Sequence, residues 1–109
     1  ERIGPKAFSQ FSKLESARFY ENLAFIDEEA FANCPRLSGI TLPKSIREIK
    51  SRAFADCPKL MSIKIPEGIR FISDDAFAGS EKLTIYCEKH SYADKYAEKH
   101  GIPVKHMPL

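Results

Sequence analysis

The sequence has few of the features that mark an enzyme, a membrane protein or a disulfide-linked scaffold. Only three cysteines occur among its 109 residues, too few for a disulfide framework. No apolar run approaches the length of a membrane span, and a formal net charge of +2 is too small to argue for nucleic acid. The chain has no nucleophile elbow, no Gly-rich phosphate loop and no His-x-x-Glu-His motif. We therefore expect a non-enzymatic chain with no nucleic-acid partner and no membrane insertion.

What the sequence does contain is a repeat. The dipeptide Ala-Phe occurs four times at intervals of 23 residues, as Ala7-Phe8, Ala30-Phe31, Ala53-Phe54 and Ala76-Phe77. A constant period of about 20 to 30 residues is typical of a solenoid, in which each coil buries its apolar side chains against its neighbours. Such a fold presents a surface rather than enclosing an active site.

Each repeat combines two local patterns. The run Leu-x-x-Ile-x-Leu/Ile, which ends at Pro43 or Pro66, alternates with a period of two and predicts a strand of about 3 to 5 residues. The stretch Ile-x-x-x-Ala-Phe-x-x-Cys-Pro has spacings of three and four, which predict a single helical or 3₁₀ turn ended by Pro35 or Pro58.

The C-terminal region predicts a helix that covers the end of the solenoid. Ser91 is a good N-cap, Gly101 fits the position after the last helical turn, and Pro103 prevents continuation. We expect a short extended tail from residue 102 to 109. The tyrosines near this cap, Tyr86, Tyr92 and Tyr96, are interpreted as core packing.

The complete repeat, Ile-x-x-x-Ala-Phe-x-x-Cys-x-x-Leu-x-x-Ile-x-Ile-Pro-x-x-Ile, resembles the BspA-type leucine-rich repeat of bacterial and protist surface proteins. The match is nearly complete over residues 26–77 and weaker in the first repeat, where Ala17, Phe19 and Tyr20 replace Ile, Ile/Leu and Pro. The resemblance implies an α/β repeat fold: a right-handed leucine-rich repeat solenoid with short parallel strands, short helical or 3₁₀ turns and a C-terminal cap helix.

The expected organisation is a single domain over residues 1–109. Its coils span residues 3–25, 26–48, 49–71 and 72–87, and the cap helix and tail span residues 88–109. Because the chain opens at Glu1, just before a repeat isoleucine, we expect a fragment of a longer array.

The resemblance also implies a function: a protein–protein interaction or adhesion module of a cell-surface or secreted protein, with a host matrix or cell-surface protein as partner. One alternative is a structural spacer. Another is an accessory region that positions a domain outside this chain, including a catalytic domain.

Two groups of residues are candidates for binding. In leucine-rich repeats the outward strand positions form the usual binding face, and here these are Ser16, Arg18, Gly39, Thr41, Ser62 and Lys64. The eleventh position of every coil is basic, which gives a basic strip of Lys13, Arg36, Lys59 and Lys82. The strip could hold an acidic protein segment or an anionic glycan, and the alternative is a solvated surface copied by duplication.

The cysteines and histidines do not predict a metal site. Cys34 and Cys57 share one inward position, so we expect them to be reduced and buried. Cys87, His90, His100 and His106 are residue types that zinc binds. The predicted helix separates His90 from His100 by about 15 Å, however. We therefore expect no metal and no cofactor.

Overall fold

Two parallel sheets run along the solenoid in the computed structural model, which describes residues 1–107. In chain order the elements are β1 (Arg2–Ile3), β2 (Ser16–Arg18), β3 (Phe25–Ile26), β4 (Gly39–Thr41), β5 (Glu48–Ile49), β6 (Ser62–Lys64), β7 (Phe71–Ile72), β8 (Thr84–Cys87), α1 (Tyr92–His100) and β9 (Val104–His106). The odd strands β1, β3, β5 and β7 form a four-stranded sheet, whereas β2, β4, β6, β8 and β9 form a five-stranded sheet. The predicted solenoid with parallel strands and a C-terminal helix is confirmed.

The register of the sheets follows the repeat. Each strand pairs in parallel with its equivalent in the next coil, as Ile26 does with Ile49 and Ile40 with Ile63. The inward isoleucines therefore stack directly above one another, and their outward neighbours form straight rows across the strands. A residue type repeated in the sequence becomes a column in space.

The Ala-Phe segment differs from the helical or 3₁₀ turn expected for it. The N–H of Ala30 donates to the carbonyl of Asp27, three residues back, but the N–H of Phe31 donates to the carbonyl of Ala53 in the next coil. Left-handed backbone recurs on both sides of the Ala-Phe pair, at Glu29 and Asn33 and again at Arg52 and Asp56. Because alternate N–H groups bond to the neighbouring coil, the segment is a run of tight turns and cannot continue as a helix.

Stacked phenylalanines fill the centre of the solenoid. The rings of Phe8 and Phe31, of Phe31 and Phe54, and of Phe54 and Phe77 lie 5.3, 5.2 and 5.7 Å apart between centroids, with interplanar angles of 3 to 11°. Phe31 and Phe54 are almost completely buried. These short parallel contacts tie each coil to the next through its largest side chain.

The C-terminal helix and strand complete the last turn of the solenoid. Helix α1 begins after Ser91, whose hydroxyl accepts a hydrogen bond from the N–H of Asp94, and ends at Gly101 in the left-handed conformation with φ +67°. Ala93, Tyr96 and Ala97 face the core. The expected extended tail forms β9, which pairs in parallel register with β8. Its last two residues, 108 and 109, lie outside the described residues. Within residues 1–107, no helix has the length and apolar character needed to cross a membrane.

Candidate functional site

The outward residues of the five-stranded sheet form a face of two rows. Ser16, Gly39, Ser62 and Thr84 are aligned in the first row. Arg18, Thr41, Lys64, Tyr86 and Lys105 are aligned in the second row. Inward residues between the rows, such as Ile40 and Ile63, are buried, so each short strand separates a core side from an exposed side.

A shallow depression of about 390 Å³ lies on this face. Its lining includes all six residues of the predicted binding face, Ser16, Arg18, Gly39, Thr41, Ser62 and Lys64. A Cβ at Gly39 would lie 3.4 Å from the hydroxyl of Ser62, so the two positions are in contact across the strands. The predicted positions are thus brought together on one surface.

Sequence reasoning missed Tyr86 and Lys105. Tyr86 also lines the depression, and Lys105 follows it in the row on β9. The fourth coil is one residue shorter than the others. Leu83 keeps its place in the repeat, but Ser62 pairs with Thr84, one residue earlier than the 23-residue repeat predicts. Counting by the repeat therefore gives the wrong side for Tyr86. The alternation of Thr84 and Tyr86 with the apolar Ile85 and Cys87 was the signal that could have found it.

The interpretation of the three C-terminal tyrosines as core holds for one of them. Tyr96 is buried with 6% exposure, and burial raises the pKa of its hydroxyl, which donates to the carbonyl of Ser73 at 2.7 Å. Tyr92 is 38% exposed, and Tyr86 is half-buried on the outward side of β8. The interpretation was wrong for Tyr92 and Tyr86, because a position beside a helix or in a strand does not by itself specify the inner side.

The basic strip lies at a corner of each coil, in the turn that leads into the five-stranded sheet. Lys13, Arg36, Lys59 and Lys82 are all exposed. Within residues 1–107, none of the four forms an ion pair. Their positive charges are therefore open to solvent or to an anionic partner.

The cysteines contribute hydrogen bonds between coils. Cys34, Cys57 and Cys87 are free and buried, and burial raises the pKa of Cys57 to about 11. The Sγ of Cys57 donates to the carbonyl of Phe31 at 3.2 Å, and Ser80 makes the equivalent bond to Phe54 at 2.6 Å. The expectation of buried thiols is confirmed, and a thiol with a raised pKa is a poor nucleophile.

Acidic and histidine side chains near the cap have structural partners. Asp75 accepts hydrogen bonds from the hydroxyls of Ser73 and Ser51, which lower its pKa. The Nε2 atoms of His100 and His106 lie 3.1 and 2.9 Å from carboxylate oxygens of Asp74 and Asp94, respectively. Nowhere in residues 1–107 do three or more Cys, His, Asp or Glu side chains form a group that could hold a metal ion.

A solved structure with a similar fold comes from Faecalibacterium prausnitzii A2-165 and is described as a leucine rich cell surface protein. The two structures share 24% sequence identity and a TM-score of 0.53, over 90% of this chain and 34% of that protein's chain. This chain thus spans about a third of the length of the solved protein. No curated protein matches this chain significantly.

A sequence model described as the BspA type leucine rich repeat region (6 copies) matches residues 1–97. The matched range contains every strand from β1 to β8 and the first six residues of α1. Such repeats are typically non-catalytic interaction or structural modules. From the match and the fold together, the chain belongs to the BspA-type leucine-rich repeat family.

Proposed function

We propose that this chain is a protein-interaction module of a cell-surface or secreted protein, with an adhesive role and no enzymatic activity. The observation that carries the proposal is the face of the five-stranded sheet, where outward polar residues converge on one depression of about 390 Å³. Hydroxyl groups of Ser16, Thr41 and Ser62 can donate and accept hydrogen bonds, and Arg18 and Lys64 add positive charge. A protein partner, such as a host matrix or cell-surface protein, suits this mixture.

The size of the face suggests that it acts as part of a larger surface. A standard interface buries about 800 Å² per partner, whereas the face comprises strands of three or four residues each. Two short rows offer less area than such an interface needs. We therefore expect weak binding by the isolated chain and stronger binding where further coils extend the same face.

Blocking the depression tests this proposal. Ser62→Trp would fill the centre of the face, whereas Arg70→Trp places the same side chain at an exposed position of the same coil, outside the depression and the basic strip. Binding to a panel of purified extracellular-matrix and cell-surface proteins would be measured by biolayer interferometry. We expect Ser62→Trp to weaken binding about tenfold, equivalent to about 1.4 kcal/mol, and Arg70→Trp to leave it unchanged. Equal binding by both variants and the native chain would contradict the proposal.

The basic strip supports a second candidate ligand, an anionic glycan. Four exposed cations without ion-pair partners in residues 1–107 recur once per coil, at a spacing of about 4.8 Å. Replacing all four with Ser should reduce retention on a heparin column if the strip binds such a glycan. Unchanged retention would leave the strip as a solvated surface.

A structural role is the remaining alternative. Stacked coils with a continuous core form a stiff element that could position another domain, including a catalytic one. In the full-length protein, such a spacer would tolerate Ser62→Trp but not the removal of one coil. Loss of function on Ser62→Trp would exclude a purely structural role.

A further inference from the structure

The second row of the face has an alternating chemical pattern. Cations occupy every other strand, with Arg18 on β2, Lys64 on β6 and Lys105 on β9, and the intervening strands carry the hydroxyl side chains Thr41 and Tyr86. The three cations are exposed. Within residues 1–107, none of them forms an ion pair or a side-chain hydrogen bond.

The strand spacing converts this pattern into a distance. Neighbouring strands lie about 4.8 Å apart, so cations on alternate strands are separated by about 9.6 Å at their backbones. The whole row, from Arg18 to Lys105, extends over about 19 Å. A ligand that pairs with all three cations must present negative groups at this interval and on one side.

The interval selects among extended peptide conformations. A β-strand repeats a side after two residues, or about 6.8 Å, and its next same-side position lies at about 13.5 Å. A polyproline II helix repeats a side after three residues, or about 9.3 Å, and six residues span about 18.6 Å. Only the polyproline II repeat follows the cations of the row without stretching.

On this basis we propose that the second row binds an acidic polypeptide segment in the polyproline II conformation, with a carboxylate at every third residue. The segment lies across the strands, and its carboxylates pair with Arg18, Lys64 and Lys105. The Tyr86 ring, half-buried between two of the cations, provides an aromatic surface for a proline, as grooves for such helices commonly do. This inference rests on the proposed interaction function and specifies its partner.

Two carboxylates that share a depression with Lys64 form no ion pair with it. Glu67 and Glu88 line a neighbouring depression, beside the sheet face. Lys64 lines both depressions but forms no ion pair within residues 1–107. The row therefore retains its positive charge for a ligand.

Two synthetic peptides test the spacing. Both contain three glutamates in a proline background, with equal length and charge, but one places a glutamate at every third position and the other clusters them at one end. Fluorescence anisotropy would measure binding to the native chain. We expect the periodic peptide to bind at least about threefold more tightly, the value of one or two exposed ion pairs. Equal binding of the two peptides, or no binding of either, would overturn the proposal.

Matched variants locate the binding. Lys64→Ala should weaken binding of the periodic peptide about threefold, and the Arg18, Lys64 and Lys105 triple Ala variant should weaken it about tenfold or more. Arg70→Ala removes one positive charge from an exposed position of the same coil, outside both the row and the basic strip, and should have no effect. Equal effects of Arg70→Ala and Lys64→Ala would overturn the assignment to the row in favour of general charge attraction.

A heparin oligosaccharide tests whether the row binds an anionic glycan rather than an acidic peptide. If it competes for the row, loses affinity in the triple variant and binds more tightly than the periodic peptide, the peptide assignment is overturned. If matrix-protein binding is blocked by Ser62→Trp but neither peptide binds, the row proposal fails while the interaction function stands. The two failures are therefore distinguishable.

Discussion

At the C-terminal end of the solenoid, Tyr96 of α1 packs edge-on against Phe77, and both side chains are buried. At the N-terminal end, Phe8 begins the same ring stack with 38% of its surface exposed, beside Phe11 at 48%. The two ends use the same repeated residue, but only one of them is covered. The energy contributed by a repeat position therefore depends on whether a neighbour lies on both of its sides.

The largest expected effect separates the middle of the ring stack from its open end. Phe54→Ala should lower the free energy of unfolding by about 3 to 5 kcal/mol, because it leaves a cavity between two rings. Phe8→Ala should cost only about 1 to 2 kcal/mol, since one side of that ring already faces solvent. Urea denaturation of both variants measures the difference, and equal costs would contradict the comparison.

The covered end should depend on Tyr96 almost as strongly. Tyr96→Ala should cost about 3 kcal/mol, because it uncovers Phe77 and removes the hydrogen bond to the carbonyl of Ser73. Tyr96→Phe keeps the ring and should cost about 1 kcal/mol. Thermal unfolding monitored by circular dichroism would compare them. If both variants lose the same stability, the hydroxyl rather than the ring holds the cap in place.

The thiol hydrogen bonds offer a smaller test within the core. Cys57→Ala should cost about 1 to 2 kcal/mol, because it removes the donor to the carbonyl of Phe31. Cys57→Ser keeps a donor and should be nearly neutral, as Ser80 fills the equivalent position naturally. Cys34 donates to the carbonyl of Phe8, which lies in the first coil at the exposed N-terminal end. Cys34→Ala should therefore cost less than Cys57→Ala. Denaturant midpoints would rank the three variants, and equal costs of Cys34→Ala and Cys57→Ala would show that position along the solenoid is unimportant.

The smallest effect concerns pH and the covered end. The hydrogen bond from His106, followed by that from the N–H of His90, lowers the pKa of Asp94. Because the pKa is lower in the folded state, ionised Asp94 stabilises that state above the ordinary aspartate pKa of about 3.9. This stabilisation is lost as the pH falls through the lowered pKa. We expect the amide hydrogens of β9 to be less protected below the lowered pKa than at neutral pH, after correction for the intrinsic pH dependence of exchange.

Asp94→Asn provides the control for this pH effect. Its side chain cannot ionise, so the acid-dependent part of the exchange in Val104–His106 should disappear, while exchange at β1 stays the same as in the native chain. Hydrogen exchange followed by NMR would resolve the two ends separately. Identical acid behaviour of β9 in the native chain and the variant would show that Asp94 does not hold this strand.

Much of the architecture could be predicted because the repeat places core residues at fixed intervals. The inward isoleucines and phenylalanines are numerous and identical, so their columns were visible in the sequence. The tight turns around Ala30-Phe31 could not be predicted, because spacings of three and four also describe a helical turn. The hydrogen bond from the N–H of Phe31 to the carbonyl of Ala53, in the next coil, decides between tight turns and a helical turn.

The face was predicted where the repeat is regular and missed where it is interrupted. Six outward positions in the first three coils line the depression as expected. Tyr86 was interpreted as core because it lies near the cap, and counting by the repeat gives the same wrong side, since the fourth coil lacks one residue. Lys105 was invisible, since β9 follows a helix and belongs to no repeat. Tyr86 and Lys105 join the face through pairing between strands rather than through the periodic pattern.

The register of one repeat upon the next has a consequence at the level of the gene. Because each regular coil pairs with a neighbour of the same length, 23 residues, an in-frame duplication of one repeat would insert a coil that fits both of its new neighbours. Unequal recombination could thus lengthen or shorten the protein by whole coils while the core columns stay continuous. Outward positions would be free to diverge after each copying event, so the same process that preserves the fold can generate new binding surfaces.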